Sequence, residues 1–123
     1  MSALLSFVAP PPGFAPHTEF TLEPVDGADG LFHLDAVDDA ALRLFVVDPQ
    51  TVVAGYAPTL ADEQVADLAL SGPDDALVLV VANRTADGVH VNLMAPIVAN
   101  LSTGAAAQVI LDGQDYPLRA ALV

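Results

Sequence analysis

The feature that most limits what this chain can fold into is its punctuation: apolar stretches of five to seven residues, rich in Val and Leu, each cut off by a turn signal. Such short runs suit strands and are too brief for independent helices. The strand candidates are Ala3 to Ala9, Thr18 to Pro24, Leu31 to Val37, Leu42 to Val47, Leu77 to Asn83, Val89 to Leu93, Ile97 to Leu101 and Ala107 to Leu111. Between them, Asp29-Gly30, Asp87-Gly88, Thr103-Gly104 and Asp112-Gly113 supply the glycine that tight reversals use for positive φ, which predicts a meander. Eight short apolar strands with free edges would offer themselves to other chains. A closed or nearly closed barrel removes those edges, so the expected fold is an all-β, small antiparallel barrel-like domain.

One segment breaks the pattern. Thr59-Leu-Ala-Asp62 resembles a capping box, and Ala61, Val65, Leu68 and Ala69 follow at helical spacing until Gly72-Pro73 stops them. This predicts a short helix over about residues 60–70, and residues 38–41 can add a single helical turn. Pro10 to Pro12, with Gly13-Phe14 and Pro16 behind them, cannot continue a ladder and read as an ordered corner. The 123 residues fit one domain, 1–123, with no internal repeat.

Charge narrows the list of partners. The chain carries 3 basic and 16 acidic residues, a net charge of −13, and all three basic residues are arginines. That leaves no patch for neutralising phosphates, so direct nucleic-acid binding is excluded and binding to an anionic membrane is not expected. A charge-guided partner of such a chain is basic. With no cysteine, thiol chemistry and cysteine-ligated metal sites are also excluded. No apolar run approaches the roughly 18 residues of a spanning helix, and MSALLSFVAP lacks the basic start of a secretory signal. The expected compartment is the cytoplasm.

Chemistry-bearing patterns are sparse. His17, His33 and His90 stand in no metal-ligand spacing to one another, so no metal or cofactor is expected. The carboxylate pairs Asp38-Asp39, Asp62-Glu63 and Asp74-Asp75 lie at turns or a helix start, where they cap the backbone. Residues 26–30 form a glycine-containing turn without the closing Glu of a calcium loop. No catalytic site is expected. What stands out is a set of amides inside apolar strands, Asn92, Asn100 and Gln108. Each is either a solvent-face residue or a fixed hydrogen-bonding element, and Asn92 and Asn100 flank Ala95-Pro96, where the proline leaves a ladder donor missing.

Over nearly its whole length the sequence resembles the flagellar assembly factor FliW family. The resemblance rests on Pro12-Gly13-Phe14, on Leu44-Phe45-Val46-Val47-Asp48-Pro49 with Tyr56 behind it, and on Asn92-Leu93-Met94-Ala95-Pro96-Ile97-Val98-Ala99-Asn100. It continues through Gln108-Val109-Ile110-Leu111 to Tyr116-Pro117-Leu118-Arg119. It implies a small non-enzymatic β-barrel that binds cytoplasmic flagellin as a chaperone and, once flagellin is exported, binds CsrA, a basic translational repressor, and antagonises it. By the same resemblance the candidate partner-binding residues are Phe14, Tyr56, Asn92, Met94, Pro96, Ile97, Asn100, Gln108, Tyr116 and Arg119. Many members carry an acidic extension where this chain has Ala120 to Val123. Those apolar residues are expected to pack on the barrel, with flagellin binding as the main role and weaker antagonism of CsrA. Two other readings are a small barrel holding a small molecule or carbohydrate in its mouth, and an acidic subunit that assembles with itself through a strand edge.

Overall fold

The computed structural model describes residues 3–10, 14–51, 56, 58–72, 75–86, 88–111, 113–117 and 120–122. Pro11, Pro12, Gly13, Pro73, Asp74, Asp87, Asp112, Leu118, Arg119 and Val123, all used in the sequence reading, lie outside them.

Seven strands run as a continuous meander: β1 (Ala3–Phe7), β2 (Glu19–Pro24), β3 (Leu31–Ala36), β4 (Asp39–Val47), β5 (Ala76–Thr85), β6 (Gly88–Asn100) and β7 (Ala105–Gln108). Each pairs antiparallel with the next. The barrel then closes where β7 meets β1, through Ser6↔Ala105 and Phe7↔Ala106, and this seam is parallel. An up-and-down meander with an odd number of strands returns its last strand in the direction of its first. The expectation of an antiparallel barrel therefore holds everywhere except at the closing seam, and the barrel is mixed.

Two differences from the sequence reading concern the strands. The candidates Val89 to Leu93 and Ile97 to Leu101 are halves of one long strand, β6, and a further strand, β8 (Ala120–Leu122), pairs with its first half. The second half of β6 pairs with β7 instead, so β8 and β7 share one side of β6 in succession.

The helical readings change as well. Residues 38–41 form no helical turn: Val37-Asp38 is a two-residue reversal, with Ala36 facing Asp39, and the Ala41 N–H donates to Asp39 Oδ1 at 3.0 Å. Asp39 thus takes up a backbone donor that a helical turn would use. The helix α1 spans only Asp62–Asp67, capped by Ala61 rather than Thr59. The Ala61 N–H donates to Gln64 Oε1 at 2.8 Å, while both backbone groups of Thr59 are held by the Gln114 amide at 2.9 and 2.8 Å. At the other end Ala69 adopts φ 53°, which stops the helix short of residue 70.

Two apolar cores share β5 and β6. Inside the barrel lie Phe7, Phe20, Leu34, Val46, Leu79, Ile97 and Ala106, among others. Outside it, Val80, Val91, Leu93, Val98, Val109 and Leu111 pack with Tyr56 and Leu68. β5 and β6 are buried on both faces, which is why Ala76 to Ala82 is an unbroken apolar run where a one-sided strand would alternate.

Candidate interaction site

Half of the sequence-predicted site residues, Tyr56, Asn92, Met94, Pro96 and Gln108, converge on one irregularity of β6. Leu79 pairs with Ile97 but Val81 pairs with Asn92, so Val80 alone faces the four residues Leu93 to Pro96. A bulge this large strips its backbone of ladder partners, and buried polar groups cost about 1–3 kcal/mol each when unpaired. Side chains and the C-terminal segment supply the partners. Asn92 Oδ1 accepts from the N–H groups of Met94 and Ala95 at 3.0 and 3.1 Å. The Tyr56 hydroxyl donates to the Leu93 carbonyl at 2.6 Å, and Gln108 Nε2 donates to the Ala95 carbonyl at 3.1 Å. Leu111 and Val109 donate their N–H groups to the carbonyls of Met94 and Pro96 at 2.9 Å each, and Leu93 donates to the Pro117 carbonyl at 3.1 Å. Every backbone N–H and carbonyl from Leu93 to Pro96 is satisfied, and Pro96 sits where no donor is required.

Tyr56 is buried, with its ring edge-on to Tyr116 at 4.8 Å. Burial, reinforced by the neighbouring Tyr116, pushes its hydroxyl pKa up to about 12. Asn100 performs the same service at the end of β6. Its Nδ2 donates to the carbonyls of Leu68 and Ala69 at 2.8 and 3.2 Å, and its Oδ1 accepts from Ser102 and Thr103 at 2.8 and 3.3 Å. It is the buried polar residue that fastens the end of α1 to the barrel.

The remaining predicted residues are spread out. Ile97 lies inside the barrel, and Tyr116, like Met94 of the bulge, packs half-buried on the outer core. Phe14 packs edge-on to Phe20 at 5.9 Å, far in sequence from the bulge, and Arg119 lies outside the described residues. Of the nine that are described, none is exposed.

Accessible apolar surface lies beside α1, where of the described candidate residues only Gln108 takes part. A groove of about 350 Å³ runs between the residues after β1, the segment after β7 and α1, lined by Val8, Pro10, Ala107, Gln108 and Ile110, with Gln64 and Asp67 on its helical wall. Val8 and Ile110 are more than half exposed. Their exposure follows from alternation: Phe7 is buried inside the barrel and Val109 and Leu111 in the outer core, so Val8 and Ile110 turn to the opposite faces.

On the opposite wall, Arg43 on β4 forms a two-point ion pair with Asp35 on β3 at 2.7 and 3.3 Å and holds the Asp35 carboxyl below the usual carboxylate range. Among the described residues, Glu23, His33 and Asp35 are the group whose donor atoms come close enough to share a metal ion. Spacing in sequence could not reveal it, because strand register brings Glu23 opposite His33.

The architecture is that of a small mixed β-barrel whose interior is filled by side chains and whose surface is left for contacts. The family model described as FliW protein matches residues 1–122, and the chain belongs to this family of flagellar assembly factors. It is 32% identical over 126 residues to the flagellar assembly factor FliW of Azoarcus sp. (strain BH72), a match covering 94% of this chain and 86% of that protein. Similarity to the flagellar assembly factor FliW of Pseudothermotoga lettingae is 32% identity over 111 residues, covering 88% of this chain and 70% of the other. Its fold is similar to a crystal structure of the flagellar assembly factor FliW with a TM-score of 0.88 at 26% identity, over 95% of this chain and 83% of that one. These relatives are named for an assembly role and not for a reaction. No helix among the described residues is long and apolar enough to cross a membrane.

Proposed function

We propose that this chain binds flagellin in the cytoplasm as a non-enzymatic chaperone, and that a CsrA-type repressor is its second, basic partner. The observation that carries this reading is the groove beside α1, where exposed Val8 and Ile110 form an apolar floor against a wall bearing Asp67. Singly exposed apolar residues are ordinary, but two lining one groove together with Pro10, beside α1, fit an amphipathic segment of a protein partner. Membership in a family of flagellar assembly factors supports flagellin as that partner. The net charge of −13 supports a separate, electrostatic encounter with a basic protein.

The test is titration of flagellin and of CsrA with the wild-type chain and with a Val8→Asp/Ile110→Asp double variant. Both positions are surface-exposed, so the variant keeps its fold while flagellin binding falls at least tenfold. Raising the salt weakens the CsrA complex far more than the flagellin complex, because screening acts on exposed charge. Unchanged flagellin affinity in the double variant overturns the groove assignment, and equal salt slopes overturn the electrostatic part. The reading of the bulge residues as a partner surface is tested in the same assay with Met94→Ala, which leaves the bulge backbone bonds intact.

A further inference from the structure

The geometry points to a site for a divalent transition-metal ion on the outer wall of the barrel, formed by Glu23, His33 and Asp35. The register between β2 and β3 sets Glu23 directly opposite His33, and Asp35, two residues on, shares the same face. One donor atom from each residue lies within 4.8 Å of the other two. His33 Nδ1 and Asp35 Oδ2 are 3.1 Å apart, close to the spacing of about 3.3 Å between neighbouring ligands of a tetrahedral ion with bonds near 2.05 Å. Glu23 has three rotatable side-chain bonds with which to close the rest.

A second observation independently favours a ligand. His33 Nδ1 is buried and has no hydrogen-bond partner, the one such side-chain atom among the described residues. Asp35 Oδ2 lies 3.1 Å away, an ion-pair distance when the imidazole is protonated, but the contact is not aligned for a hydrogen bond, so a neutral imidazole leaves this buried nitrogen open to a ligand. Coordination to a metal satisfies that nitrogen. The ring is steadied by Phe45, edge-on at 6.4 Å, and the Asp35 carboxylate by Arg43, whose Nε donates to Oδ1 at 2.7 Å and whose Nη2 reaches Oδ2 more loosely, at 3.3 Å, on the oxygen that also faces His33. Such orienting contacts are the support that ligands in metal sites ordinarily have.

The donor set of one imidazole and two carboxylates selects a borderline ion such as Zn²⁺ or Cu²⁺ over Mg²⁺ or Ca²⁺, which prefer oxygen alone. Arg43 cancels one of the two carboxylate charges, so binding is weaker than at a buried structural site. This site is separate from the groove beside α1, and it stands whether or not that groove takes flagellin.

The experiment is calorimetric titration of the purified chain with ZnCl₂, and with MgCl₂ as the comparison. The expected result is one Zn²⁺ per chain, at least tenfold weaker in Glu23→Gln and in His33→Gln and unchanged in a His17→Gln/His90→Gln variant. The wild-type chain supplies a second readout: Cu²⁺ paramagnetic resonance shows a single coordinated imidazole nitrogen, and the His33 ring is the one whose NMR signals move on adding Zn²⁺. Absence of saturable binding overturns the assignment, as does binding that survives both ligand substitutions or broadens the signals of His17 or His90 instead.

Discussion

Replacing Asn100 by Ala should be among the most damaging polar substitutions in the chain, and its size can be worked from the contacts. The side chain makes two short hydrogen bonds of 2.8 Å, to the Leu68 carbonyl and from the Ser102 N–H, and two longer ones of 3.2 and 3.3 Å. Counting about 1 kcal/mol for each short bond and about 1 kcal/mol more for the carbonyl left unpartnered at buried Leu68, the loss is about 3 kcal/mol. For a domain of this size that corresponds to a fall in melting temperature of about 10 °C. Urea unfolding of wild type and variant gives the number directly, provided the slope of the transition is unchanged. The reasoning also fixes where the damage appears. Amide hydrogen exchange should accelerate around α1 and Leu70, whose N–H donates to Val65 at 3.1 Å as the helix terminates. A change in unfolding free energy within about 0.5 kcal/mol, the size ordinary for surface substitutions, would refute the claim that Asn100 pins the helix to the barrel.

Asn92→Ala removes one oxygen serving two N–H groups in a half-buried position, so it should cost about 1–2 kcal/mol, less than Asn100→Ala in the same urea assay. Tyr56→Phe loses the 2.6 Å bond to Leu93 and should also destabilise by about 1–2 kcal/mol. Because the Tyr56 pKa is raised to about 12 in the folded chain, its contribution is complete below the unfolded value near 10 and is lost as the pH climbs towards 12. An alkaline unfolding series should show this loss in wild type and not in Tyr56→Phe. Gly104→Ala should cost at least about 1 kcal/mol more than Gly27→Ala, although both positions have φ near +80°. A Cβ at residue 104 meets the Leu4 carbonyl oxygen at 2.8 Å, whereas at residue 27 it meets open space, and equal melting temperatures would contradict the difference.

The meander was legible because strand alternation and glycine turns are local signals, as at Asp29-Gly30 between β2 and β3. Less legible was anything set by what a segment packs against. Two apolar runs separated by Met94-Ala95-Pro96 read as two strands, yet the bulge keeps them one, since side chains as distant in sequence as Tyr56 and Gln108 reach its carbonyls. The motif around Asn92 was recognised from its letters, but its physical work in holding the bulge required the register of β5 against β6. Likewise the capping pattern at Thr59 was locally sound, and it lost to Gln114, fifty-five residues away, which occupies the Thr59 backbone. In the Glu23, His33 and Asp35 cluster the i, i+2 spacing of His33 and Asp35 gives only a shared strand face, and the arrival of Glu23 depends on cross-strand register.

The parallel seam has a consequence for the order of events at the ribosome. Ser6 and Ala105, which meet across it, are 105 − 6 = 99 residues apart, whereas the other barrel strands pair with a neighbour in the meander. At about 5–20 residues per second, β1 emerges some 5–20 s before its closing partner exists. Throughout that interval one edge of β1 is an open template for any other nascent or aggregating strand. Only two residue pairs close it afterwards, as few as join β4 to β5, so the step that completes the barrel has little ladder to hold it. A chain built this way is most vulnerable while it is being made.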